Sequence, residues 1–191
     1  RAWGRAVSEQ DQPMSTTSIV RSVEELEPYR NCWDALAQGM GWAMPFMLFD
    51  WLKTCAACSP YGLEPYVILS HSGTQVHAIG PFGRLGKVIG RRRIVFLGMG
   101  PSDYQTVLGS PDHPEAVAAV WDGLLTQADW DWIDLDPIGE AEAGRVGTMV
   151  TDDESLTVSY HPKGSCPILE LDVRFEEQVN HHAMKSAQYE W

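Results

Sequence analysis

Apolar positions recur along this chain in two periods, and the changes between them mark its elements. Residues 17–21 read as a short strand. Ser22 and Glu25 then place a hydroxyl and a carboxylate three residues apart, the capping-box start of a helix. Leu26, Tyr29, Trp33 and Leu36 follow at helical spacing, and Gly39 with Gly41 end the run. Pro28 falls early in this helix, where a missing N–H costs least. After Pro45, Leu48, Leu52 and Cys55 predict a second helix, broken by Ser59-Pro60-Tyr61-Gly62. Tyr66-Val67-Ile68-Leu69 is a continuous apolar run, as in a strand buried on both faces. Ser72-Gly73 signals a turn, residues 75–80 a hairpin partner, residues 83–90 a Gly/Arg-rich connector and residues 94–97 a third strand. Residues 98–104 read as a loop. A third helix starts near Asp112 or Pro114, with Val117, Val120, Trp121 and Leu124 as its apolar stripe. Residues 130–135 predict a strand, and 138–150 a short helix weakened by Gly139, Gly144 and Gly147. Two closing strands, 156–160 and 168–171, precede a last helix from Phe175.

A doubly wound sheet would alternate strand and helix strictly. Here two helices come early and a three-strand meander sits in the middle, with no internal repeat and no low-complexity tract.

Short motifs lie along this order. They are Trp33-x-x-Leu36, Pro45-Phe46 followed by Asp50-Trp51, Leu97-Gly98 followed by Ser102-Asp103-Tyr104, Trp130-Asp131 with Asp134-Leu135, and Cys166-Pro167 before an apolar strand and Phe175. Together, over residues 17–191, they resemble the first half of CelD/BioF2-like acyltransferases of the GNAT superfamily, which are similar to FemAB-type enzymes with two GNAT-like domains in tandem. The resemblance implies an α/β fold, GNAT-like, with a mixed sheet and helices on both faces. It implies acetyl-CoA or another acyl-CoA as donor, held mainly by the chain's own second GNAT-like domain. The acceptor it implies is an amino sugar, an amino acid or a cell-envelope or polysaccharide intermediate. On this reading residues 1–13 are an extraneous extension, since Met14-Ser15-Thr16 resembles a native start. Residues 14–172 are the GNAT-like domain, and residues 173–191 begin a helix leading to the second one.

A GNAT cofactor loop has the pattern Arg/Gln-x-x-Gly-x-Gly/Ala, whose backbone N–H groups meet a pyrophosphate at a helix start. Gly98, Gly100 and Ser102 are the candidates for that role. Val95 stands at the Arg/Gln position and Pro101 interrupts the helix start, so the loop is degenerate, and a tight turn is the plain alternative. Asp103 and Tyr104 are the catalytic candidates, a carboxylate and a phenol on a loop at a strand's C-terminal end, suited to an acceptor amine or hydroxyl. Their alternative is a local cap and a packed ring. Direct transfer from a thioester needs a base, oxyanion donors and positioning rather than a protein nucleophile. No nucleophile elbow, Walker loop or metalloprotease helix motif occurs.

Cys55 and Cys58 have metal-ligand spacing but no second pair, so they read as small buried helix residues, and no metal is expected. His181-His182 in the last helix reads as packed rather than catalytic, and His71, His77, His113 and His161 form no ligand spacing.

Composition adds exclusions. Of 191 residues, 44% are hydrophobic and 21% charged, ordinary globular usage. Fourteen basic against 26 acidic residues give a formal charge of -12, which repels phosphate backbones and anionic headgroups. Nucleic acid and membrane are therefore not expected partners, and the run Arg91-Arg92-Arg93 reads as a solvated strand end or loop. Four cysteines and no apolar run of about 20 residues fit a reducing cytosol. A non-catalytic GNAT-like scaffold or protein-interaction domain is the second expectation.

Overall fold

The computed structural model describes residues 15–40, 45–88, 90–150 and 155–162. The chain divides into two units, Arg1–Val158 and Ser159–Trp191. The architecture that follows is that of the first; of the second, residues 159–162 are described, in coil.

The elements run β1 (Thr16–Val20), α1 (Val23–Leu26), α2 (Arg30–Gly39), α3 (Phe49–Cys58), β2 (Leu63–Ser72), β3 (Gln75–Val88), β4 (Arg91–Phe96), β5 (Leu108–Gly109), α4 (Pro114–Leu125), β6 (Trp132–Ile133) and α5 (Glu140–Val150). The sheet is ordered β1-β2-β3-β4-β6, and β5 pairs with β3. All pairings are antiparallel except β4 with β6, which is parallel. This is the expected mixed sheet. Its helices cover both faces because the strands alternate between two apolar cores. Val67, Leu69, Ile79, Val95 and Leu97 face one way, against Leu26, Trp33, Phe49 and Leu52 of α1–α3. Tyr66, Ile68, Phe82, Ile94 and Phe96 face the other, against Val120, Trp121 and Leu124 of α4.

Several expectations are corrected. The first helix is not continuous. Ser22 does cap α1, its Oγ accepting from the Glu25 N–H at 3.2 Å. Pro28 then lies in a 3-10 turn, Glu27–Tyr29, that separates α1 from α2, because proline has no N–H to continue the ladder. In α3 the inward face is Phe49, Leu52 and Ala56, whereas Cys58 is exposed and Cys55 only half-buried. The start of α3 is fixed from outside the helix. The Phe49 N–H donates to Asp34 Oδ1 of α2 at 2.9 Å, and the Trp33 indole donates to the Met47 carbonyl at 2.9 Å.

The Gly/Arg-rich stretch is not a connector, since β3 runs through it to Val88. Two glycines of β3 admit neighbours that a side chain would displace. A Cβ on Gly83 would lie 2.6 Å from Leu63 Cδ1, and one on Gly80 would lie 2.6 Å from Val120 Cγ1. The strand expected over 130–135 is shorter, although Asp131 N–H to Arg92 carbonyl (2.9 Å) and Asp134 N–H to Ile94 carbonyl (2.8 Å) extend its pairing one residue each way. Of the two places expected for the three arginines, the strand end holds: they open β4, and Arg92 and Arg93 pair with Asp131 and Asp134. Residues 156–160 are coil, with Val158 and Tyr160 each 55% exposed. The expectations for residues 1–13, Cys166, the strand 168–171, the helix from Phe175 and His181-His182 lie outside the described residues.

Past α4, Asp129 gathers three partners. It accepts from the Tyr66 hydroxyl at 2.6 Å and from Arg21 at 2.8 Å, and Arg84 lies 3.6 Å away. Burial, reinforced by the Asp129 bond, pushes the Tyr66 phenol up to about 12. Burial also acts to raise Asp129, but the Tyr66 and Arg21 hydrogen bonds outweigh it and hold the carboxyl below its ordinary range.

Candidate functional site

The candidate loop exists because one strand is interrupted. β4 follows β3 as far as Phe96 opposite Phe82, and the Leu97 N–H still reaches the Pro81 carbonyl at 2.8 Å. β5 rejoins the same edge at Leu108 opposite Ile79. Residues 98–107 therefore leave the sheet and return to it. On the other side, the parallel ladder of β4 with β6 ends at Ile94–Ile133, and the next parallel bridge is Gln105–Ile138. Adjacent parallel paths part over the interval that carries every site residue expected from the sequence.

The glycine pair forms a turn and does not open a helix. Gly100 has φ +98°, a left-handed conformation that glycine adopts without strain. Within the turn the Met99 N–H donates to Phe96 O (3.0 Å) and the Ser102 N–H to Gly98 O (3.2 Å). Gly98 is required by contact. A Cβ there would overlap Ser102 Oγ and lie 2.7 Å from Gln105 Oε1 and 2.9 Å from Leu52 Cδ2.

Ser102 is 2% exposed, and its Oγ accepts from the Trp51 indole of α3 at 2.7 Å. Burial raises the pKa of the Cys55 thiol, with Ser102 opposing, so it stays a neutral thiol. Asp103 is exposed, and Tyr104 is half-buried with φ +55°, an uncommon conformation for a bulky side chain. Gln105 and Thr106 turn inward again, 2% and 6% exposed. Gln105 Nε2 is buried with no hydrogen-bond partner among the described residues. Thr106 Oγ1 donates to Glu142 Oε2 at 2.7 Å, and the Trp121 indole donates to Glu142 Oε1 at 2.9 Å, so α5 is tied to both the loop and α4.

The structure thus brings Gly98 and Ser102 together with Gln105 and the α3 residues Leu52, Trp51 and Cys55, and leaves Asp103 at the surface beside them. Sequence reasoning missed Gln105 and Glu142, and it read Trp51 and Cys55 only as motif or packing residues. The tryptophans that could have filled the interval have other places. The Trp130 indole donates to Leu124 O at 2.8 Å, and Trp132 is 54% exposed beside the Arg93 guanidinium, 5.3 Å from its ring centroid.

A pyrophosphate does not fit the residues present. The helix following the strand is α4, which begins at Pro114 with Glu115 in its first turn and Asp112 just before it. Two acidic residues oppose an anion at that helix start. In the Gly98–Gly100 turn, the Met99 and Ser102 donors are already used. A groove of about 580 Å³ opens elsewhere, between α2 (Asn31, Cys32, Leu36), the β2–β3 turn (Thr74) and the segment after β5 (Ser110, Pro111); Asp103 and Tyr104 do not line it. The Cys32 thiol there donates to the Tyr29 carbonyl at 3.0 Å, and burial pushes its pKa up. Among the described residues, no three of His, Cys, Asp and Glu are grouped to hold a metal ion, and no helix is long and apolar enough to cross a membrane.

No family model matches the chain, and no curated protein matches it. Among solved structures it is similar to a ribosomal-protein-alanine N-acetyltransferase from Brucella melitensis biovar Abortus 2308, with a TM-score of 0.44 and 13% identity over 82% of this chain and 100% of that one. That likeness assigns a role to no residue, and the mixed α/β architecture stands on the sheet itself.

Proposed function

We propose that this chain is the acceptor-side half of an acyl-CoA-dependent N-acyltransferase whose donor is held mainly by a second GNAT-like domain. The observation that carries the reading is the interval between the parallel β4 and β6 paths. It holds an exposed carboxylate, Asp103, next to Tyr104 and a buried amide donor, Gln105 Nε2, that has no partner among the described residues. An exposed carboxylate can hold an acceptor's ammonium group, and a buried donor without a partner favours an incoming oxygen. The acceptor class is an amino sugar, an amino acid or a related cell-envelope or polysaccharide intermediate. Gly98, Gly100 and Ser102 then shape the turn that positions Asp103, and their N–H groups are not the main anchor of the donor.

The acidic start of α4 and the occupied donors of the turn favour a second reading, a GNAT-like scaffold without catalysis. Acetyl-CoA titration and free-thiol release with a panel of amino sugars and amino acids separate the two. The assays use this chain and a natural chain that contains it and extends past residue 191. The acyltransferase reading expects turnover by the longer chain, lowered at least tenfold in kcat/KM by Asp103→Asn. It expects weak or no acetyl-CoA binding by residues 1–191 alone. A longer chain that neither binds nor consumes any acyl-CoA refutes it and leaves the scaffold.

A further inference from the structure

His77 is the extra residue of a β-bulge. Ser70 pairs with Ala78 and His71 with Val76, so His77 has no partner across the strand. Bulges re-aim a side chain, and this one is 7% exposed and lies against the His113 ring, with centroids 3.9 Å apart and planes at 46°. The backbone of the same residue is engaged too, its carbonyl accepting from the Ser110 N–H at 2.9 Å. His113 is the N-cap residue of α4 and makes no side-chain capping bond there. Its Nδ1 lies 3.0 Å from Glu115 Oε1. Beyond the Ala78–Gly109 pairing of β5, one backbone bond and one ring contact link the segment 109–114 to β3. Gly109, Ser110 and Pro111 of that segment form one wall of the groove beside α2.

We propose that His77 and His113 form an acid-sensitive clasp, closed while at most one ring carries a proton and opened when both do, releasing residues 109–114 from β3 and reshaping the groove. Two imidazolium rings in contact repel each other, and the positive end of α4 adds to the repulsion. Burial and then His113 hold the His77 pKa below its ordinary value, with Glu115 opposing. From the neighbouring strand, the His71 ring is turned to the Gly73 carbonyl at 3.1 Å.

A histidine held low in the folded state gives stability that is full above its unfolded value of about 6.5 and is lost as pH falls through the folded value. Glu115, held below the ordinary carboxylate value by its own backbone N–H and by His113, responds only in more acid solution. The two effects therefore occupy different pH windows.

Amide exchange of the whole chain between pH 7.5 and 5, corrected for intrinsic rates, tests the clasp without reference to any enzymatic activity. Opening of residues 108–116 is expected to grow by up to about tenfold per pH unit below about 6.5, while α2 and α3 peptides stay constant. His77→Phe keeps a ring in place without a proton and should flatten this dependence. His113→Gln removes the second charge and should weaken it, which keeps the test open if His77→Phe does not fold. NMR titration should place His77 below its ordinary value of about 6.5. A flat wild-type profile, equal pH dependence in His113→Gln, or His77 titrating at or above 6.5 overturns the proposal.

Discussion

Replacing Gly98 by alanine tests whether the candidate loop is clamped against α3. Gly98 has an ordinary negative or extended φ, so alanine adds no backbone strain, and its effect comes from the methyl group alone. That methyl would overlap Ser102 Oγ and press on Gln105 Oε1 at 2.7 Å and Leu52 Cδ2 at 2.9 Å. Real Cβ atoms essentially never come this close, and the partners are held in place. Ser102 is fixed by Trp51, Gln105 is pinned by its bridge to Ile138, and Leu52 is fully buried. Overpacking of this kind costs about 1–3 kcal/mol. The lower unfolded-state entropy of alanine offsets about 0.4–1 kcal/mol. The net loss should be about 1–2 kcal/mol, a fall in Tm of about 2–8 °C for a domain of this size. Gly86→Ala is the control, because nothing lies within 4 Å of a Cβ there and its backbone is likewise unstrained. It should leave Tm unchanged or raise it. Ser102→Ala should relieve part of the cost, so a double-mutant cycle on melting should show a positive coupling of about 0.5 kcal/mol or more. Equal Tm for Gly98→Ala and Gly86→Ala, or strictly additive effects of Gly98→Ala and Ser102→Ala, would refute the clamped loop.

Two further perturbations probe what surrounds it. Glu142→Ala leaves the fully buried Trp121 indole without its acceptor and releases Thr106, so urea unfolding should show a loss of about 1–3 kcal/mol. Glu142→Gln keeps an acceptor oxygen and should lose less. Asp129→Asn should be destabilising at pH 6. Because the Asp129 carboxyl is held below its ordinary value in the fold, its contribution is full above about 3.9 and is lost as pH falls through the folded value. The gap between wild type and Asp129→Asn in urea midpoint should therefore shrink between pH 4 and 3, and a gap independent of pH would argue against the Tyr66–Asp129–Arg21 contact.

What the sequence made legible is what repeats locally. The stripe of Val120, Trp121 and Leu124 declares one face of α4, and Ser22 with Glu25 declares a helix start, because neighbours along the chain supply the physics in each case. Gly83 was misread for the opposite reason. A cluster of glycines and arginines reads locally as a connector, but the smallness of Gly83 answers Leu63, which arrives from another strand. The inward face of α3 was likewise misplaced onto Cys55 and Cys58, since the sheet and α1 decide which side is covered. The candidate site combines both situations. Asp103 and Tyr104 were visible as loop residues at a strand end, and a loop is where they lie. The groups that fix that loop are Trp51 and Leu52, about fifty positions earlier, and Ile138, more than thirty positions later. Each carried a local reading as packing or as an element end. Position along the chain therefore marks which residues are free to meet a ligand, and only the tertiary contacts mark which residues aim them. Hence Gly98 and Gln105, rather than Asp103, are where a substitution should first reveal how the loop is held.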